Sequence, residues 1–191
     1  YDGHELKKYV YSPNNPHSIP NNLIHQIAED EMSNIWILTD KGIARYQRQS
    51  DDFFLPTDEK GNPIIAYSTC LTKDGVLFGS KDKVYFYSYR DSSLRLLQKL
   101  NKGNNFNISL LSLWNEHTVL CCSRWQGLAL LDLKTGKHRL PPFDCGKEIM
   151  NMLIDSQNRI WIAPYNEGIK CFTHNGELVK AYTTHNSDLS N

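Results

Sequence analysis

The chain has 191 residues, 21 basic and 21 acidic side chains for a formal net charge of zero, and four Trp, ten Tyr and seven Phe. That length accommodates one large domain or two small ones around a real hydrophobic core. Balanced, scattered charge leaves no basic footprint for nucleic acid or an anionic membrane, and no run of eighteen apolar residues is present to span a bilayer.

Residues 6–11, Leu-Lys-Lys-Tyr-Val-Tyr, read as a short outer strand, followed by a Pro/Asn-rich loop through Asn22. A repeat then begins. Leu23 to Ala28 is an inner strand, residues 29–34 a turn, Ile35 to Thr39 a second strand, Ile43 to Gln47 a third, and Phe53 to Leu55 an outer fourth. Pro56 to Pro63 connects to a second repeat, with strands over Ile65–Leu71, Val76–Gly79 and Val84–Tyr89. The third repeat has strands over Ile108–Leu113, Thr118–Ser123 and Leu128–Asp132. In the fourth, Met150–Ile154 precedes two strands that restate the first repeat, and Leu178–Thr183 closes it. No stretch carries an i, i+3, i+4, i+7 apolar stripe with caps, so no helix of normal length is expected.

The repeat is set by its punctuation. Trp36 and Trp161 are 125 residues apart and Gly42 and Gly168 are 126 apart, three periods of about 42 residues, the length of one four-stranded propeller blade. The anchor positions Trp36, Leu77, Leu120 and Trp161 are spaced 41, 43 and 41. Leu77 stands where the tryptophan is expected and Lys83 where the glycine is, so the second repeat is degenerate. Gly127 is the corresponding turn glycine of the third repeat. The fold expected is all-β, four antiparallel blades at 23–63, 64–107, 108–148 and 149–183. Residues 1–22 are an outer strand with its leader, and 184–191 a leader to a further blade. The stretch from Lys180 echoes the one from Lys8, which leaves one outer strand too many for a closed ring of four. A segment of a larger propeller, of about seven blades, is therefore expected, with self-association through its open faces.

At these residues the chain resembles the two-component regulator propeller repeat: Asp30…Asn34-Ile35-Trp36-Ile37…Gly42-Ile43-Ala44-Arg45-Tyr46, and again Asp155…Asn158-Arg159-Ile160-Trp161-Ile162…Gly168-Ile169-Lys170-Cys171-Phe172, with Ile19-Pro20-Asn21-Asn22-Leu23-Ile24 as the lead into a blade. The second and third repeats depart from the pattern. The resemblance implies the periplasmic sensor region of a hybrid two-component protein: propellers outside an inner-membrane helix, with a histidine kinase and phosphorelay beyond it, often responding to oligosaccharides. It also implies a non-catalytic segment without direct membrane contact, whose partners are other blades of the same sensor.

Each residue type that could carry chemistry also has a plainer role. Trp36 and Trp161 sit mid-strand at the packing position and are expected between blades rather than under a sugar. The Asp30 and Asp155 turns lack the ligand count of a calcium loop and suit side-chain-to-backbone turn bonding. The histidines, His4, His17, His25, His117, His138, His174 and His185, form no HxxxH or HExxH pair, so no metal or cofactor is expected. Five cysteines with no CxxC spacing are not a disulfide scaffold. Cys70, Cys121, Cys122 and Cys171 lie in or beside apolar runs and read as small buried hydrophobes, with Cys121 and Cys122 on opposite strand faces.

The less ordinary set is the group of turns between second and third strands, which in a propeller open on one face. They carry Asp40, Lys81, Arg124, Trp125, Tyr165, Asn166 and Glu167: two aromatics with planar hydrogen-bonding groups, a combination suited to a polar sugar or a protein partner. Solvated loops are the plain alternative. At the level of function, the rival readings are a lyase- or hydrolase-type propeller enzyme and a purely structural dimerisation scaffold. The inner strands carry few ionisable groups, His25 excepted, which favours binding.

Overall fold

A computed structural model describes residues 6–100, 106–146, 148–183 and 186. Sixteen strands form four antiparallel four-stranded sheets, each built from consecutive strands in the order inner to outer. The first sheet comprises β1 (Ile24–Glu29), β2 (Ile35–Thr39), β3 (Gly42–Gln47) and β4 (Asp52–Phe54). The second holds β5 (Ser68–Thr72), β6 (Gly75–Ser80), β7 (Lys83–Ser88) and β8 (Leu94–Lys99). The third holds β9 (Ile108–Asn115), β10 (Thr118–Ser123), β11 (Gly127–Asp132) and the two-residue β12 (His138–Arg139). The fourth holds β13 (Ile149–Ile154), β14 (Ile160–Pro164), β15 (Ile169–Phe172) and β16 (Leu178–Tyr182). No helix occurs among the described residues. These are propeller blades.

The sheets stack face to face in chain order: β1 packs against β5, β5 and β6 against β9, and β9 and β10 against β13. Each interface has its own apolar core. Between the first two sheets lie Trp36, Leu38, Phe78 and Tyr87; between the second and third lie Leu77, Val119, Cys121 and Leu131; between the third and fourth lie Leu120, Leu130, Ile162 and Phe172. Strand alternation sends Cys121 and Cys122 to opposite interfaces. The register lines up equivalent residues across each sheet. Trp36 is level with Arg45 and Phe54, Leu77 with Phe86 and Arg95, and Trp161 with Cys171 and Lys180.

The tryptophan corners are built by their turns. Asp30 Oδ1 accepts the backbone N–H groups of Met32 and Asn34 at 2.9 and 2.8 Å, while its Oδ2 accepts the indole N–H of Trp36 at 2.7 Å. Asp155 repeats this with Gln157, Arg159 and the indole N–H of Trp161, at 2.9, 2.9 and 2.8 Å. One carboxylate thus closes the turn and fixes the indole. Gly168 has a φ of +76°, and a Cβ there would lie 2.0 Å from the Tyr182 carbonyl oxygen, so only glycine fits beside the outer strand.

Three expectations need correction. No strand forms over Leu6–Tyr11. Its backbone is engaged elsewhere, with the Tyr11 N–H donating to Asn22 Oδ1 at 2.7 Å, and Tyr9 packs edge-on against Tyr46 and Phe53 of the first sheet at 5.7 and 5.4 Å. The inner strand expected over Ile65–Leu71 begins only at Ser68, because Ile64 and Ala66 turn their side chains into the core between the first two sheets. Trp161 is half-buried, unlike the fully buried Trp36. The leader expected over 184–191 lies outside the described residues apart from Asn186, as do His4 and His185.

Candidate ligand-binding site

The second-to-third-strand turns of the last three sheets are sharp and pass through left-handed backbone: Lys81 at φ +47°, Gly127 at +75°, Asn166 at +58° and Gly168 at +76°, of which glycine and asparagine adopt it readily. A tight turn pushes its remaining side chains outward. Trp125 is 61 % exposed, with the Arg124 guanidinium 5.0 Å from its ring centroid, and Tyr165 is 53 % exposed, anchored by its backbone N–H to the Glu148 carbonyl at 2.9 Å. An indole flanked by a guanidinium, out in solvent, is a stacking platform with hydrogen-bond donors beside it.

The seven candidate residues do not act as one set. Glu167 accepts a hydrogen bond from Lys170 Nζ at 2.5 Å, and its carboxylate lies against Gly146, where a Cβ would come within 3.2 Å of Oε1. Gly146 in turn borders a recess of about 340 Å³ whose wall includes Gln126, Leu140, Phe143 and Asp144. The third and fourth turns are therefore joined through the 140–146 loop. Asn166 serves the turn through its backbone conformation. Lys81 works through its carbonyl, which accepts the Ile108 N–H at 2.7 Å, while the neighbouring Asp82 carbonyl accepts that of Leu100 at 2.7 Å. That turn holds the chain as it crosses into the third sheet.

Asp40 belongs to a separate group. Its Oδ1 lies 2.5 Å from His25 Nε2, and the His25 ring packs on Tyr67 at 5.2 Å. An imidazole–carboxylate pair beside a phenol is a polar cluster spanning the inner edges of the first two sheets. Sequence reasoning singled out His25 as an ionisable residue on an inner strand but did not pair it. Tyr67 stood in a stretch expected to be strand and was missed. The signal was the period itself, which puts Asp40 in a turn level with the entry of β1.

The five thiols are all buried, and none forms a disulfide. Burial pushes Cys70 and Cys122 up to about 12 and raises Cys145 and Cys171, which disfavours the thiolate at these positions. Among the described residues, no group of three or more His, Cys, Asp or Glu is placed to hold a metal ion.

No family model and no curated protein matches the chain at a significant level. Solved structures do. The chain is similar to the extracellular domain assigned to a hybrid two-component system of B. thetaiotaomicron, with TM-score 0.69 and 19 % identity over 97 % of this chain and 25 % of that one. It is similar to the extracellular domain assigned to a one-component system of the same organism, with TM-score 0.66 and 16 % identity over 86 % of this chain and 25 % of that one. A third is PorZ, a surface component of the type-IX secretion system of Porphyromonas gingivalis, with TM-score 0.68 and 17 % identity over 98 % of this chain and 31 % of that one. The chain thus spans between a quarter and a third of the proteins it resembles. At these identities the likeness speaks for the fold.

Proposed function

We propose that these four blades form part of the extracytoplasmic sensor region of a two-component system, non-catalytic in themselves, in a parent with a histidine kinase and phosphorelay across the inner membrane. The observation that carries this reading is the match of nearly the whole chain to the extracellular domain of a hybrid two-component protein, together with the repeated tryptophan–turn–glycine corners. The ligand proposed is an oligosaccharide, taken on the platform of Trp125 and Arg124 and on Tyr165 in the equivalent turn of the next sheet. Exposed aromatic faces stack on the C–H faces of sugars, and the guanidinium bridges hydroxyls. The test is calorimetric titration of a panel of plant and host oligosaccharides into the chain. Binding to at least one, weakened tenfold or more by Trp125→Ala and by Tyr165→Ala, is the expected result. Binding that neither substitution alters would move the site elsewhere, and no binding across the panel would remove the oligosaccharide reading.

A second reading, an interaction scaffold, draws on the fourth sheet. On the first sheet Trp36 is covered by Phe78 and Tyr87 of the next sheet, with ring centroids at 5.2 and 4.7 Å. The equivalent face of the fourth sheet shows half-buried Trp161 beside Leu153, 61 % exposed, and Met150, 45 % exposed. The occupant proposed is a second copy of this chain. Segment 7–9 sets Lys7 over Tyr9 and packs that ring on Tyr46 and Phe53 of the first sheet. The fourth sheet ends in the same arrangement, Lys180 over Tyr182, so it can present an equivalent ring to the first sheet of a neighbour. Light scattering over a hundredfold dilution should show a dimer or larger species that Trp161→Glu dissociates; a monomer at every concentration would end this reading.

A further inference from the structure

The gap between the first two sheets and the gap between the second and third are equivalent by repeat, and they are filled differently. In the first, the indole of Trp36 meets Phe78 and Tyr87, with Arg45 reaching across to donate to the Tyr87 hydroxyl at 2.6 Å. In the second, the equivalents of that aromatic trio are all smaller, although Phe106 is buried elsewhere in the gap. Leu77 stands for the tryptophan, and Cys121 and Leu131 for the phenylalanine and tyrosine of the facing sheet. The turn before the anchor is shorter too. Five residues separate β1 from β2 and two separate β5 from β6, so no aspartate is placed as Asp30 is.

The lost volume remains as a cleft of about 480 Å³, open at the end opposite the second-to-third-strand turns. Its walls are Leu71, Phe86 and Leu97 on one sheet and Leu113 and Leu133 on the other, with fully buried Leu77 at the back. Lys73 and Glu116 pair across its mouth, and Asp74, Arg95, His117 and Lys134 complete a polar rim. Phe86 and Arg95 are partners across the sheet, the guanidinium 5.7 Å from the ring, the reverse of Arg45 and Phe54 in the first sheet. A space of this size with an apolar floor and few polar groups at its rim falls within the range of small-molecule sites. Leucine-lined cavities that lack a side chain take up rings of the missing shape.

We propose that this cleft is a binding site for a small planar aromatic molecule of the indole class, seated where the second blade lacks its tryptophan, with its N–H directed to a carboxylate at the mouth. The carboxylates available there are Glu31, Asp74 and Glu116, the last held toward its ionised form by Lys73. They stand in for Asp30, which accepts the Trp36 indole N–H in the filled gap. This site is on the opposite end of the sheets from Trp125 and Tyr165 and is independent of the sugar reading.

The probe is indole itself, titrated into the full chain and followed by amide and methyl NMR shifts. Saturable binding with a dissociation constant roughly below a millimolar is expected for a fragment of this size, with shifts centred on Leu77, Leu113 and Leu133. Leu77→Trp should fill the cleft from the back and weaken binding at least tenfold. Leu133→Phe, a smaller change on the opposite wall, should do the same and keeps the test usable if the first variant does not fold. No saturable binding, or binding that survives in Leu133→Phe with shifts elsewhere, would overturn the proposal. Indene, isosteric but without the N–H, should bind at least threefold more weakly; equal affinity would overturn the role given to the carboxylates.

Discussion

Trp36 and Trp161 carry the same local sequence and the same aspartate–indole bond, at 2.7 and 2.8 Å, yet one is fully buried and the other half-buried. Both turns close with the same two backbone N–H bonds and the same indole bond to the aspartate, so those bonds are not the cause. The difference lies in what faces them. Trp36 meets Phe78 and Tyr87 of the second sheet, whereas Trp161 meets a ring from its own sheet, Tyr182, stacked at 6.0 Å. The repeat motif therefore encodes a corner, and the neighbouring blade decides how much that corner stabilises.

The largest expected effect breaks the filled interface. Trp36→Ala should destabilise the chain by about 3–5 kcal/mol, since it empties a packed site and leaves Asp30, 5 % exposed, without its indole donor. The same change at Trp161 should cost about 1 kcal/mol, because a half-exposed ring gives up less burial. Urea unfolding of the two variants under conditions where the chain is monomeric measures both. Equal costs would mean that the aspartate bond, rather than the neighbouring sheet, carries the energy of the corner.

The glycines should reverse the ranking. A Cβ at Gly168 would sit 2.0 Å from the backbone oxygen of Tyr182, whereas one at Gly42 would meet nothing nearer than the Pro63 side chain at 3.4 Å. Gly168→Ala should therefore cost about 1–3 kcal/mol, from a displaced outer strand and a strained left-handed backbone. Gly42→Ala, with a strained φ of +157° but ordinary contact distances around the new methyl, should cost less than that. Thermal unfolding of the pair checks it, and a larger loss at Gly42 would show that the first corner tolerates less movement than its contacts indicate.

The same contrast explains what could be read from sequence. The inner three strands of each sheet were legible because most are short and apolar between turn residues and because Trp36 and Trp161 mark the period; the outer strands β8 and β12, Leu94–Lys99 and His138–Arg139, are more polar and were not read. The segment Leu6–Tyr11 was misleading: its Tyr and Val residues suit a strand, but the Tyr11 N–H goes to the Asn22 side chain, and composition cannot reveal that. At the candidate site, exposure of Trp125 and Tyr165 followed from their place in tight turns. The pairing of Asp40 with His25, and of Glu167 with Lys170, depends on which strands lie beside each turn. The cleft was half legible. Leu77 stood out as a missing tryptophan, but the empty space also needs Cys121 and Leu131 on the facing sheet, 44 and 54 positions further along.

The smallest effect is a difference in acid response between the two corners. Asp30 is held below the usual carboxylate range even though burial opposes its ionisation, because Trp36, Asn34 and two backbone N–H groups all donate to the charged form. Asp155 is held further below it, first by the Trp161 indole and then by Arg159, which adds a guanidinium at 2.8 Å. A carboxylate depressed on folding contributes stability that is complete above its unfolded value near pH 4 and is lost as pH falls through the lower folded value. Both corners should thus be intact at neutral pH and weaken only in acid, and the Asp30 corner should respond first. Following the two indole N–H resonances by NMR from pH 5 downward separates them. Trp36 should shift at a higher pH than Trp161, and Arg159→Gln should narrow the interval, because it removes the one cation that distinguishes the fourth corner from the first. If Trp161 moved first in the unaltered chain, solvent screening at the half-exposed corner would outweigh the guanidinium, and the neighbouring sheet would govern the charge state of these corners as well as their packing.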